Sequence, residues 1–209
     1  MGNEDVTLVH GDLPPDLART LAEQRRIAWD TETTGLDSRK DALATCQLFS
    51  PPTGGIVIQK IDEHPPYLSH LLADADVVKV FHHAPFDLRF MKRAWNVDPG
   101  AIRCTKVASK LLEPAAPNAE HSLARLLQRH LGVVLDKGPV RTSAWDSPVL
   151  TAEQLTYAVN DVRFLLPLEA ALATKLAASS RGLLYEKCCA FIPARVELEL
   201  GDFPDVFAY

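Results

Sequence analysis

The sequence predicts an α/β fold in which a mixed sheet of about five strands is flanked by helices and the C-terminal half is helical. Three observations lead there. Five short strand-like runs all lie before residue 82, helical patterns alternate with them, and almost everything after Pro85 has helical periodicity. With 209 residues, and no long linker or low-complexity stretch to divide them, one compact domain over 1–209 is the expectation.

In chain order, Thr7 to His10 reads as a strand and Pro14 to Gln24 as a helix. Ile27 to Asp30, Thr45 to Ser50 and Gly55 to Gln59 are strand candidates that form an antiparallel meander, with a turn signal at Pro51-Pro52-Thr53-Gly54-Gly55. A helix over Pro66 to Ala73 leads into Val77 to Phe81, a short buried strand. Pro85 suits the first turn of the next helix, Pro85 to Trp95, because an N–H is not needed there. Helices are then expected at Lys106 to Leu112, Ser122 to Leu131 and Thr151 to Leu166, followed by an alanine-rich run from about Pro167 to Ser180. Thr151 is a plausible N-cap, since Gln154 stands three positions on, as a capping box requires. No internal repeat is visible.

Composition narrows the class without naming a function. Hydrophobic content of 47% and charged content of 23% are ordinary for a globular protein. No apolar run approaches the ~20 residues of a membrane span, and the polar start MGNEDV lacks a basic region followed by an apolar stretch, so no membrane partner and a cytoplasmic location are expected. Cys46, Cys104, Cys188 and Cys189 contain no Cys-x-x-Cys, which argues against a zinc knuckle or a disulfide framework and for reduced core residues. The net charge of −5 disfavours a binder of long nucleic-acid duplexes, which usually carries an obvious basic footprint. The densest basic region holds Lys106, Lys110, Arg125, Arg129, Lys137 and Arg141; members facing a cleft could track a phosphate backbone, and the rest would be solvated helix faces.

The chemistry-bearing residues are widely separated. In IAWDTETTGL, an apolar run enters Asp30 and Glu32, one residue apart, and a strand's period of two points both to one side. In VVKVFHHAPFDLRFM, Asp87 falls near a helix start at the carboxyl end of a strand, the edge where ligands collect in open α/β sheets. In LTAEQLTYAVNDV, Tyr157 and Asp161 are four apart, so one helix places phenol and carboxylate on the same face about one turn (~5–6 Å) apart. A hard divalent cation could sit among such oxygens.

Taken in this order, WDTETTGL, HHAPFDLRFM and YAVNDV make the chain resemble the DEDD superfamily of 3′-to-5′ exonucleases, tyrosine subclass, and within it the ribonuclease D branch. The resemblance runs from about residue 6 to the end, and the tail PARVELELGDFPDVFAY is similar to the end of small, free-standing ribonuclease D-like proteins. It implies a ribonuclease H-like core and a metal-dependent exoribonuclease that hydrolyses phosphodiesters from the 3′ end and releases nucleoside 5′-monophosphates. Single-stranded 3′ ends of RNA are the implied substrate, in RNA processing; single-stranded DNA is the alternative, and a non-catalytic nucleic-acid-binding relative is a third. The implied cofactors are two divalent cations, Mg2+ or Mn2+, which acidify water and steady the leaving oxygen. Carboxylates suit them as hard oxygen donors.

By the same resemblance, Asp30 would bridge both ions, Glu32 and Asp161 would complete the nucleophile-side site, and Asp87 would hold the other ion through water. Tyr157 would orient the attacking water, since a phenol with a pKa near ~10 is a poor base at neutral pH. Thr33 and Thr34 would lie beside the terminal 3′-hydroxyl, Leu36 would wedge against the last base, and Gly35 would let the chain approach closely. His83 departs from the pattern, because many relatives have asparagine there, next to the substrate. Trp29, Trp95 and Trp145 read as core, Trp29 because it should face away from Asp30. Trp145 stands out, since ribonuclease D relatives carry a similar Ser-x-Trp stretch just before the last catalytic helix. Larger relatives continue into helical nucleic-acid-binding domains, and a chain stopping at Tyr209 is expected to be distributive, with a preference for short or single-stranded ends. The oligomeric state is not legible.

Overall fold

The computed structural model describes residues 6–135, 140 and 143–208. Its centre is a six-stranded mixed sheet in the order β1-β4-β3-β2-β5-β6, formed by β1 (Val6–His10), β2 (Arg26–Thr33), β3 (Leu43–Ser50), β4 (Gly54–Gln59), β5 (Val78–Phe81) and β6 (Ile102–Cys104). As expected, β2, β3 and β4 form an antiparallel meander, whereas β1 on β4, β5 on β2 and β6 on β5 run parallel. The mixed sheet of about five strands expected from the sequence is present, with six. β6 has only three residues, too few to show alternation, and its pairing with β5 defines it.

β2 extends past the expected end at Asp30 to Thr33, so both of its acids stand within the ladder, Asp30 opposite Gln47 and Glu32 opposite Thr45. The register shifts between Glu32 and Thr33, which bends the chain out of the sheet where the loop to β3 begins.

Eight α-helices cover the described sheet edges and faces: α1 (Pro15–Ala22), α2 (Pro66–Ala73), α3 (Ala84–Trp95), α4 (Thr105–Leu112), α5 (Leu123–Leu131), α6 (Ala152–Arg163), α7 (Leu165–Ala178) and α8 (Gly182–Leu200). The expected single helix from Thr151 to Leu166 is two. Pro167 lacks the N–H that would bond the carbonyl of Arg163, and its ring would clash there, so α6 ends at Arg163 and Pro167 falls in the first turn of α7. The Thr151–Gln154 capping box is present in both directions. α8 was not legible because Pro193 lies in its interior, where proline normally ends a helix.

The main core lies where β2 and β5 meet the helices. Trp29 and Phe81 stack there at 6.2 Å, fully buried with Ile27, Leu68 and Leu72; burying each such side chain is worth roughly 1.5–3 kcal/mol. A smaller cluster of Val57, Trp145, Leu150, Tyr157, Ala158 and Val159 packs α6 onto β4. That approach depends on Gly55, where a Cβ would fall 2.5 Å from the Val159 side chain.

The end of α8 braces two segments near the sheet edge. Glu199 accepts from Arg89 of α3 (2.9 Å) and from Arg195 (2.7 Å), while Arg39, in the loop after β2, donates to the Glu199 carbonyl (3.5 Å) and pairs with Asp202.

Candidate active site

The carboxyl end of β2 supplies Asp30 and Glu32, and α6 crosses above them. Oxygens of Asp30, Glu32 and Asp161 all lie within 4.8 Å of one another, on half-buried side chains. Tyr157, one turn before Asp161, is buried and hydrogen-bonds that carboxylate. Burial, then the negative charges of Asp161, Glu32 and Asp30, pushes its phenol far above the usual tyrosine range, so it remains protonated at neutral pH.

Asp87 enters from the first turn of α3. Its Oδ1 accepts from the Thr31 N–H (3.1 Å) and the Thr31 hydroxyl (2.7 Å), which ties α3 to β2 between the two strand acids. Burial pushes the carboxyl up to about 7 against the pull of those hydrogen bonds. Asp30, Glu32, Asp87 and Asp161 line one open cavity of ≈ 280 Å3 together with His83, Phe86 and Lys106. A cavity of ≈ 340 Å3 around Ser38, Asp41, Phe90 and Arg93 contains none of the four acids.

His83 holds a left-handed backbone (φ 74°, ψ 43°) at the N-cap of α3, an unusual conformation for a non-glycine residue. Its ring stacks on Phe86 at 6.5 Å. Burial, then the cations Lys106 and Arg89, lowers its pKa to about 4, so the imidazole is neutral at pH 7. The cavity lining on β2 stops at Glu32. Thr33, Thr34 and Leu36 follow in the loop, where Thr34 N–H donates to the Ala42 carbonyl (3.0 Å), Ala42 N–H donates to the Thr34 hydroxyl (2.9 Å), and Leu36 is 82% exposed. Gly35 packs so closely on Asp41 that a Cβ would fall 2.3 Å from its carboxylate.

The structure therefore brings all four sequence-identified acids, with Tyr157 and His83, to the carboxyl end of the interior strand β2. Of the basic region, Lys106 lines the cavity; Arg129 is paired with Glu113 and Glu120, Arg125 lies near Glu120, and Lys110 bonds Asn118. Lys137 and Arg141 lie outside the described residues. Phe86 was missed; its position just before Asp87 on an amphipathic helix gave no signal of its own. Trp145 is 2% exposed and packs against Tyr157. Cys46, Cys104 and Cys189 are buried free thiols, and Cys188 is half-buried and free.

A family described as 3′-5′ exonuclease matches residues 10–177. Among solved structures, Brucella melitensis NrnC aligns over 98% of both chains at 33% identity and a TM-score of 0.89; it has also been solved bound to pGG and with bound Mg2+, the latter at 34% identity and a TM-score of 0.87. Haemophilus influenzae ribonuclease D is 31% identical over 159 residues, covering 75% of this chain and 39% of that protein. Aquifex aeolicus DNA polymerase I is 33% identical over 134 residues, 64% of this chain and 21% of the polymerase. The chain thus spans less than half the length of these two curated relatives. Taken with the acidic site at the end of β2 and the meander that carries it, these matches show that the chain belongs to the 3′-5′ exonuclease family, on its ribonuclease D-like branch.

Proposed function

We propose that this protein is a metal-dependent 3′-to-5′ exonuclease acting on RNA, releasing nucleoside 5′-monophosphates with two divalent cations, Mg2+ or Mn2+. The observation that carries the reading is the gathering of Asp30, Glu32 and Asp161 within 4.8 Å, beside a tyrosine that cannot ionise at neutral pH. Carboxylate oxygens at that spacing are a fitting donor set for hard cations. When bound, such ions lower the pKa of water and stabilise the leaving oxygen.

The chain's own residues divide the remaining work. Asp30 would serve both ions, Glu32 and Asp161 would hold the one beside the nucleophile, and Asp87 would help to hold the other. Tyr157 keeps its proton and hydrogen-bonds the attacking water, fixing the lone pair toward phosphorus. The backbone of Thr33 and Thr34 lies beside the terminal 3′-hydroxyl, and the exposed Leu36 has the reach to wedge against the last base. His83, neutral at working pH, offers a hydrogen bond to sugar or phosphate, and Lys106 offers the cation for a phosphate.

Short 3′ ends fit this site best. Among the described residues Lys106 is the lysine or arginine lining the cavity, which suits a grip on few nucleotides, and the pGG bound to Brucella NrnC is a ligand of that size. The match to a DNA polymerase favours single-stranded DNA as the second reading. The test is a 5′-labelled RNA oligonucleotide, with and without Mn2+, beside its DNA counterpart and a 3′-phosphorylated copy. Stepwise shortening of the free-ended RNA, faster than DNA and strongly slowed by the 3′-phosphate, is expected. Equal loss of blocked and free ends would point to internal cleavage instead.

A further inference from the structure

We propose that Trp145 is a positioning residue for Tyr157, holding the phenol at the angle from which its hydroxyl meets the attacking water; this rests on the water-orienting role given to Tyr157 above. Tyr157 has one edge in the carboxylate cluster and its ring against the indole of Trp145, with centroids 5.8 Å apart and planes inclined at 45°. A tyrosine ring turns about two torsions, and its hydrogen bond to Asp161 leaves the tilt of the ring to whatever packs against it. A displacement of about 1 Å at a catalytic group costs on the order of 100-fold in rate.

The indole is itself fixed. Trp145 belongs to the small cluster over β4, separate from the main core, and the segment carrying it is tied down on both sides. Gln154 of α6 donates from Nε2 to the Ser143 hydroxyl (3.0 Å) and the Ala144 carbonyl (3.2 Å), while Gln59 of β4 donates to the Ser147 carbonyl (2.5 Å). Both glutamines are buried. Because Gln154 and Tyr157 share α6, the helix carrying the phenol also anchors the loop that packs on it. The arrangement is more than generic burial: two buried amides from different elements hold the stretch from Ser143 to Ser147, and Trp145 in its middle packs on Tyr157.

A double-mutant cycle tests this by single-turnover cleavage of a short RNA at saturating Mn2+, with wild type, Trp145→Phe, Tyr157→Phe and the double variant. The smaller ring should withdraw from Tyr157 and lower the rate about tenfold or more, while KM and the Mn2+ midpoint stay near wild type. In the Tyr157→Phe background the same substitution should cost nothing further, because there is no hydroxyl left to place. Losses that multiply, or a Trp145→Phe rate equal to wild type, would overturn the proposal while leaving a slow Tyr157→Phe, and hence the role of the tyrosine, intact. A wild-type rate for Tyr157→Phe would overturn both. If Trp145→Phe does not fold, Gln59→Leu loosens the same loop at Ser147 without touching the cluster. It should slow cleavage in the wild-type background and not in the Tyr157→Phe background; equal slowing in both overturns the proposal.

Discussion

Thr31 and Asp87, 56 positions apart, are joined by two hydrogen bonds to a single carboxylate oxygen, one from the Thr31 amide and one from its hydroxyl. The pair locks the start of α3 to the carboxyl end of β2, so the spacing between the helix acid and the strand acids is set by the sheet and not by a loop. Asp87 is buried, and burial raises its pKa from the ordinary aspartate range near 4 to about 7. Between those values the folded chain holds a proton that the unfolded chain has released, so stability falls as pH rises through the window. Thermal melts in EDTA should therefore lose midpoint from about pH 4 to about pH 7, and Mn2+ should recover most of the loss at the upper end. Parallel EDTA and Mn2+ curves across that range would detach Asp87 from the cation site.

Asp30→Asn keeps the side-chain shape and removes one charge of the cluster it forms with Glu32 and Asp161. Cleavage should be abolished, the circular dichroism spectrum should remain that of wild type, and the thermal stabilisation by Mn2+ should shrink, because that stabilisation is binding energy. Wild-type cleavage by this variant would displace the cluster from the mechanism.

Tyr157→Phe removes a hydroxyl and no charge, so the Mn2+ titration should hardly move. Turnover should drop by roughly 10- to 1,000-fold, the scale of a lost positioning hydrogen bond. Since burial and the adjacent carboxylates hold the phenol protonated, the alkaline limb of the wild-type pH profile should not report its ionisation. A limb that vanishes in Tyr157→Phe would show a titrating tyrosine.

Gly55→Ala tests how closely α6 must sit. The added methyl meets Val159 at 2.5 Å, so the helix must lift or Val159 must turn, an overpacking cost of roughly 1–3 kcal/mol. A lower melting temperature is expected together with a weaker Mn2+ response, as Asp161 moves away from Asp30 and Glu32. A melting temperature equal to wild type would mean that Val159 yields and the helix does not.

Much of this site was legible because each chemical residue sits in a local context with its own periodicity. The apolar run into Asp30 fixed a strand, period two put Glu32 beside it, and the capping box at Thr151 fixed the phase of α6, hence Tyr157 and Asp161 on one face. What escaped depends on contacts between distant segments. β6 exists through its partner β5, α8 runs through Pro193 because its buried face holds it against neighbouring elements, and the break at Phe164 follows from a proline three residues later. Likewise nothing local to Thr31 announces that it will hold Asp87, and nothing near Trp145 announces Tyr157.

The brace at the end of α8 bears on the order in which the working protein is assembled. Chains grow from the N-terminus at about 5–20 residues per second. All four acids have been made once Asp161 is joined, yet Arg89 and Arg39 meet their partners only when Glu199 and Asp202 follow, 38 and 41 residues later. For a period on the order of seconds the emerging polypeptide carries every acid of the cluster while the loop bearing Thr34 and Leu36 still lacks its anchor. A protein of a nucleic-acid-degrading family is thus built beside ribosomal RNA with the loop after β2 fastened last.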